Sequence, residues 1–536
     1  MARYLLAAEA DKIQDLIFRS ARLREVVGGS QLLTRFCAEV PCLLLPRYGG
    51  KAGDIVINDG GSFRILFDDV NQAKAFGAQL AEVYRRAAGG SLTVAEPALV
   101  NGDFHKASEQ AEENLRQAKR QREGWQSQAQ FSYMAFCASC GVGLAVAHQR
   151  YHEDEDSQYL CAACLNKSAE PDERELGSFL ERFYQVVEPG DLNSLVWPGK
   201  EECSGRTGKD PVEDVADHDP RRYVAYLLAD GNDIGKLFNK CDEDQMRALS
   251  KGLIQAMRLA LAAPTRMAMA KQRHLSDRSN FIPVLPMILG GDDLFALVPA
   301  PWALDFAYRF CQEYEREMGA LLERVGIHDA LRPTISSAVV ICKSKHPYTL
   351  AHQAGEARLK EAKRLGKRAI LDGGQPYSTV NFEVVLGGRL VSESPSGQVR
   401  PTLRPYWATE ATISGWGLSV QQLMAQRWNL RHVPHKRLAE LQSLYDPANL
   451  PALRRSDEIA LWQARLEPLL KRLERSEEQG TVVREALRAL GGDKSGWYRV
   501  DRYPEDCWYG HGLPDLLEAW DFALDLKEDR KAYEEE

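Results

Sequence analysis

The 536-residue sequence contains no uninterrupted apolar run approaching the ~18 residues of a membrane-spanning helix, which excludes a hydrophobic span. It has no basic excess. There are 68 Lys and Arg against 76 Asp and Glu, and a net charge of −8 provides no global field for nucleic acid, so any such contact must use local patches. The N-terminal stretch MARYLLAAEADKIQ is apolar too briefly, and is broken by acids too soon, for a secretory signal. Cysteines number 11, an odd count, and apart from four they scatter, which argues against a disulfide framework and for a reducing, cytoplasmic compartment. Two His-Asp pairs occur, His218-Asp219 and His328-Asp329. Neither has the further His and Asp on helices that a metal phosphohydrolase needs, and both read as coincidence. What is present is ordinary for a soluble globular protein, 44% apolar and 27% charged, at a length that suggests about three domains.

The first positive signal is an internal repeat. VAYLLAD (Val224–Asp230) has the pattern of a buried strand, and from Met246 apolar residues continue at helical spacing through Leu249, Leu253 and Met257. PVLPMIL and LFALVPA read as two strands joined at Gly290-Gly291-Asp292-Asp293, followed by an amphipathic helix from Ala303 and the strand PTISSAVVIC. The order β-α-β-β-α-β is the ferredoxin-like unit. The N-terminus repeats it. RYLLAAE is a strand, and RLREVVGGSQLLTRFCAEV supplies a helix entered after Gly28-Gly29. GDIVIND and SFRILF form a hairpin at Gly60-Gly61, VNQAKAFGAQLAEVYRRA is a helix, and SLTVAEPALV is a strand. Aligning AEADKIQDL with ADGNDIGKL sets Glu9 against Asp230, and aligning GGSF with GGDD sets Ser62 against Asp292. The second copy carries acids where the first mostly lacks them. The expected fold class is therefore α+β, with two ferredoxin-like palm domains of which the first is degenerate.

In such a sheet the end of the first strand lies beside the tip of the second hairpin, which brings Asp230 to Asp292 and Asp293. Three carboxylates there repel unless they are protonated or share a cation. Oxygen-only ligation suits Mg²⁺ or Mn²⁺, with substrate phosphates and water completing the shell. Gly290 and Gly291 allow close backbone approach by a triphosphate. The turn at Gly231, Asn232 and Asp233 opens a helix whose N–H groups suit phosphate oxygens. GEARLKEAKRLGKR (Gly355–Arg368) adds Lys360, Lys363, Arg364 and Lys367 near the same sheet.

Cys137, Cys140, Cys161 and Cys164 form C-x2-C, twenty residues, then C-x2-C, the spacing of two knuckles around tetrahedral Zn²⁺. Four thiolates leave no open position, so the site is structural. His148 and His152, inside the loop, are not needed as ligands. The stretch SGRTGKDPVEDVADHDPRR reads as a linker. After Gly387 the chain turns loop-like and then helical, and Trp407, Trp416, Trp428, Trp462, Trp497, Trp508 and Trp520 read as core of a packing domain. The expected division is residues 1–125 (first palm), 126–203 (zinc module), 204–222 (linker), 223–387 (second palm with the GGDD motif) and 400–536 (helical C-terminal domain).

Taken together, the two palms, the four-cysteine module, ADGNDIGKLF, GGDDLFALVP, ISSAVVICKSKHPYTLAHQAGEARLKEAK and the helical end resemble the large subunit of type III CRISPR effector complexes, the CRISPR polymerase family. The glycine after Asp230 is similar to the Cmr-type branch. The resemblance implies a nucleotidyltransferase that joins ATP into cyclic oligoadenylates within a complex of other subunits, guide RNA and target RNA, for antiviral defence. It implies metal at Asp292, Asp293 and Asp230, a nucleotide pocket shaped by Gly290 and Gly291, and phosphate contact by Lys363. Many members open with an HD-type nuclease domain. This sequence opens on the first palm strand, so intrinsic DNA cleavage is not expected. Two rival readings stand beside this one. One is a diguanylate or mononucleotide cyclase, although its motif usually carries glutamate where this chain has Asp292. The other is a catalytically silent scaffold subunit of the same RNA complex.

Overall fold

The computed structural model describes residues 3–20, 22–122, 134–150, 156–169, 179–190, 192–199, 211–275, 280–328, 332–371, 376–385, 402–409, 417–445, 456–473, 477–491, 498–503 and 506–527. The first unit comprises β1 (Arg3–Ala10), α1 (Ile13–Phe18), α2 (Leu23–Leu44), β2 (Ile55–Asp59), β3 (Ser62–Phe67), α3 (Val70–Ala88), β4 (Leu92–Val94), β5 (Ala98–Val100) and α4 (Phe104–Arg122). Its sheet runs β2-β3-β1-β4, with β5 also pairing β1. Strand alternation divides β1 between two cores. Leu6, Ala8 and Ala10 face a cluster with Phe63, Phe76 and Tyr84, whereas Leu5 and Ala7 join a larger core shared with the rest of the molecule.

A small cysteine-bearing module follows, with β6 (Ala147–Arg150), β7 (Ser157–Leu160) and α5 (Ala162–Ala169), then α6 (Phe179–Val187) and α7 (Pro211–Ala216). The stretch read as a linker from 204 lies outside the described residues through 210. From Pro211 it is helix, because Val212 and Val215 are buried in the main core.

The second unit comprises β8 (Tyr223–Gly231), α8 (Ile234–Phe238), α9 (Glu243–Leu275), β9 (Leu285–Gly290), β10 (Asp293–Pro299), α10 (Ala303–Val325), β11 (Ile335–Lys343), α11 (Tyr348–Leu371), β12 (Thr379–Val384) and β13 (Tyr406–Trp407). Its sheet runs β13-β12-β11-β8-β10-β9. The four strands expected from the sequence appear in the same spatial order as in the first unit, with the first strand central. β12, parallel to β11, and β13 extend the sheet beyond the expected four. The remainder comprises α12 (Val420–Asn429), α13 (His435–Ser443), α14 (Ser456–Leu473), α15 (Glu477–Gly491), the hairpin β14 (Tyr498–Tyr503) and β15 (Asp506–Gly510), and α16 (Gly512–Glu518). It is tied to the second unit by Arg404, which pairs with Asp515 at 3.0 Å and Glu518 at 2.7 Å. The end of the palm at 387, the second residue of His328-Asp329, Trp416 and Trp497 lie outside the described residues. No described helix is long and apolar enough to cross a membrane.

The repeat is visible in the backbone, with one correction to its alignment. Glu9 lies opposite Ser62 as Asp230 lies opposite Asp293. Ser62 therefore takes the place of Asp293, and Gly61 that of Asp292. The two units also exchange helices. α2 packs on β9, and α9 packs on β2. This brings the two hairpin tips together, so that a Cβ built on Gly60 would lie 3.8 Å from the Cα of Gly291. Gly28 and Gly29, expected to precede a helix, lie inside α2. Lys167 packs over Gly29, with its Cε 3.4 Å from where a Cβ would be.

Candidate active site

β8 is an apolar run that ends in an acid. Its residues from Tyr223 to Ala229 are buried, and the strand delivers Asp230 to the sheet's edge, where it is only partly covered. Asp293 starts β10 directly opposite Asp230. The β9–β10 hairpin closes between Gly290 and Asp293, leaving Gly291 and Asp292 at its tip, with Gly291 at φ +58°. That left-handed backbone suits glycine. A Cβ on either Gly290 or Gly291 would meet nothing within 4 Å, so open space lies beside both. The three expected carboxylates are thus brought together by strand register.

Lys363, on α11, reaches across to Asp230, with Nζ to Oδ2 at 2.5 Å. Of the four basic residues singled out on this helix, Lys360, Arg364 and Lys367 are exposed. Burial, followed by the charge of Asp230, pushes the Asp292 carboxyl up to about 6, with Lys363 opposing. Asp293 is raised well above its ordinary value, first by burial and then by the charges of Asp292 and Asp230. One lysine does not neutralise three acids. The donor set is made of hard oxygens that hold protons for want of positive charge, which fits a divalent cation of the Mg²⁺ or Mn²⁺ type.

The turn after β8 serves the fold more than the expectation allowed. The Gly231 N–H donates to Asp292 O at 3.1 Å, and the Asn232 N–H to Thr334 O at 2.9 Å. The Asn232 side chain braces β11, donating to Thr334 Oγ1 and accepting from Ser336 Oγ, both at 3.0 Å. These two backbone donors are therefore already used and do not await phosphate. Asp233 sits at φ +56° and pairs with Lys236 at 2.9 Å. α8, at five residues, is also too short to present an anion-binding N-terminus. Lys12 occupies the equivalent left-handed position before α1, at φ +49°.

Sequence reasoning missed the wall behind this site. Gln14, Ile288, Phe295, His352, Glu356 and Leu359 line a pocket that also touches Asp293. Phe18 of the first unit enters that wall, with its ring 3.8 Å from His352 and 5.0 Å from Phe295. Burial lowers His352 to about 4, so it is neutral there. Such residues read as helix or strand core in the sequence, because contact between units leaves no periodic signal.

The four cysteines converge. Their sulfurs all lie within 4.8 Å of one another, with Cys140 and Cys161 at 3.8 Å. Hydrogen bonds from Cys161 and Cys164 hold the Cys140 thiol low, while the same contact with Cys140 raises Cys161 to about 11. Cys164 is raised by the same contacts, and four sulfurs gathered this closely fit a tetrahedral Zn²⁺ site, which would hold them as thiolates. His148 is exposed and stacks on Tyr159 at 4.2 Å, apart from the sulfurs, and His152 lies outside the described residues. The module is pinned to the first unit by hydrogen bonds, among them one from Asn166 to Ala87 O at 2.8 Å. Ser139 donates to the buried Glu25 at 2.5 Å, and the Lys167 ammonium donates to Leu16 O at 2.5 Å.

The second unit is thus a palm-like βαββαβ fold with acids at its first strand and hairpin. Comparison narrows this: residues 223–371 match the family described as Cas10/Cmr2, second palm domain. No curated protein matches the chain. Among solved structures, the chain is similar to a Csm1-Csm4 cassette in complex with cA4. The TM-score is 0.44 at 16% identity, covering 72% of this chain and 55% of that one. It is also similar to a Csm1-Csm4 cassette in complex with pppApA. There the TM-score is 0.48 at 16% identity, covering 90% and 69%. The chain thus spans about half the length of the first of these relatives.

Proposed function

We propose that the second unit joins ATP molecules into cyclic oligoadenylates by forming 3′–5′ phosphodiester bonds. The chain would act within a guide-RNA complex of other subunits that responds to target RNA. The observation that carries this reading is the direct pairing of Asp230 with Asp293, with Asp292 at the adjoining tip and Lys363 on Asp230. The match of residues 223–371 to the Cas10/Cmr2 second palm supports it.

Asp230, Asp292 and Asp293 would hold Mg²⁺ or Mn²⁺. The bound ion would lower the pKa of an attacking hydroxyl and offset charge on the phosphates. The protein's own residues supply the rest. Lys363 can pass from Asp230 to a phosphate oxygen once the acids are neutralised. Gly290 and Gly291 leave room for the nucleotide at the hairpin. The 3′-oxygen of one ATP bonds to the α-phosphorus of another, the bond to pyrophosphate breaks, and the hydroxyl proton leaves to solvent. Catalysis here is positioning and charge neutralisation.

The first unit lacks two of the three acids, with Gly61 and Ser62 in their places. It keeps Glu9, paired with Lys119 at 2.7 Å, in the arrangement of Asp230 with Lys363. With the two hairpin tips in contact, a nucleotide pair shared between the units is the natural reading. The four cysteines would hold structural Zn²⁺. The test is to supply ATP and GTP separately with Mg²⁺ or Mn²⁺, to the chain alone and to its assembled complex with target RNA, and to identify products by mass spectrometry. Cyclic oligoadenylates support the proposal. Cyclic diguanylate transfers the site to the rival cyclase reading, and no product under any condition favours a scaffold.

A further inference from the structure

Tyr314, on α10, is completely buried behind the acids, at 0% exposure. Its hydroxyl has no hydrogen-bond partner among the described residues. Buried polar groups are nearly always paired, so an orphan needs a physical account. The hydroxyl lies close to Gly231 and to the Asp292 side chain. A Cβ built on Gly231 would lie 2.8 Å from Tyr314 Oη and 3.0 Å from Asp292 Cβ. The phenol and the Asp292 side chain therefore flank the same methyl-sized space. This also accounts for glycine at residue 231: a side chain would collide with Ile234 Cγ1, at 2.7 Å, and with the phenol. Asp292 and Asp230 both lie within electrostatic reach of Tyr314. Phenylalanine would fill the same volume, so apolar packing does not call for the oxygen.

We propose that Tyr314 is a positioning residue for the metal site. Its O–H donates to the Asp292 carboxylate when a divalent cation is bound, fixing which carboxylate oxygen faces the ion. This rests on the reading of Asp230, Asp292 and Asp293 as a metal site. Outer partners of this kind orient ligands and commonly control affinity about 10- to 100-fold.

The experiment measures Mn²⁺ binding to the zinc-loaded full chain by electron paramagnetic resonance and calorimetry, for wild type and Tyr314→Phe. The Asp292→Ala/Asp293→Ala variant serves as the blank for other Mn²⁺ sites. Thermal unfolding without Mn²⁺ is recorded in parallel. The expected result is Mn²⁺ affinity about tenfold weaker in Tyr314→Phe, with unfolding at the same or a higher temperature, because an unpaired buried oxygen has been removed. Equal Mn²⁺ affinity in the two proteins overturns the proposal. Lowered stability without metal also overturns it, because the hydroxyl would then already be paired within the fold. If wild type binds no more Mn²⁺ than the blank, the metal-site reading itself fails, an outcome distinct from failure of the Tyr314 role alone.

Discussion

Asp230 and Asp293 face each other across neighbouring antiparallel strands, and the ammonium of Lys363 lies 2.5 Å from Asp230. Like charges placed opposite one another on a sheet are destabilising. On the proposed reading a bound divalent cation offsets that repulsion, and the consequences are measurable.

Metal-free stability should fall as pH rises. The Asp292 carboxyl has a folded-state value of about 6, above its ordinary 3.8, so between those values the folded protein binds more protons than the unfolded chain. The contribution is fully present below the unfolded value and is lost as pH rises through the folded one; Asp293, also raised, extends the window upward. The stabilisation produced by Mg²⁺, read as a shift in unfolding temperature, should accordingly be larger at pH 8 than at pH 5. The dependence should flatten in Asp292→Asn.

Lys363→Met should lower kcat/KM for ATP about 10- to 100-fold, the worth of a charge-assisted hydrogen bond to phosphate. Lys367→Met, on the same helix but exposed, should change it little. Steady-state kinetics on both variants would check this, and equal effects would argue for a diffuse basic face.

Glycines inside and outside the site should respond oppositely. Gly290→Ala places a methyl in open space, so the unfolding temperature should hold while nucleotide turnover drops. Gly355→Ala drives a methyl to 2.3 Å from the Leu228 Cδ1, which should cost about 1–3 kcal/mol in a denaturant titration.

Purified protein should contain about one zinc per chain by metal analysis, and a chelator strong enough to remove it should lower the unfolding temperature. Because Lys167 and Ser139 pin the module to the first unit, and Phe18 of that unit lies against His352 and Phe295, metal loss should also reduce turnover. Absence of zinc from the folded protein would contradict the four-cysteine site.

Much of this site was legible because strand topology is. A buried run ending at Asp230 and a glycine hairpin carrying two aspartates determine which residues meet, and thiol spacing does the same for the cysteines. What escaped the sequence was set by contacts between distant segments. Matching glycines by identity placed Ser62 against Asp292, whereas backbone register places it with Asp293. Gly29 reads as a helix breaker, yet it lies within α2, where Lys167 crosses it. Tyr406 and Trp407, too few to show strand alternation, complete the second sheet through pairing with β12. Tyr314 falls on the apolar stripe of an amphipathic helix, where nothing separates an ordinary aromatic core residue from one whose oxygen lies unpaired near the acids.

The central claim is that the acids of the second unit catalyse adenylate transfer. It is tested most directly by incubating the assembled complex, with target RNA, ATP and Mg²⁺, in parallel with one carrying Asp292→Ala/Asp293→Ala, and resolving products by mass spectrometry. Cyclic oligoadenylates are expected from the first and none from the second. Undiminished Mg²⁺-dependent product from the double variant would contradict it.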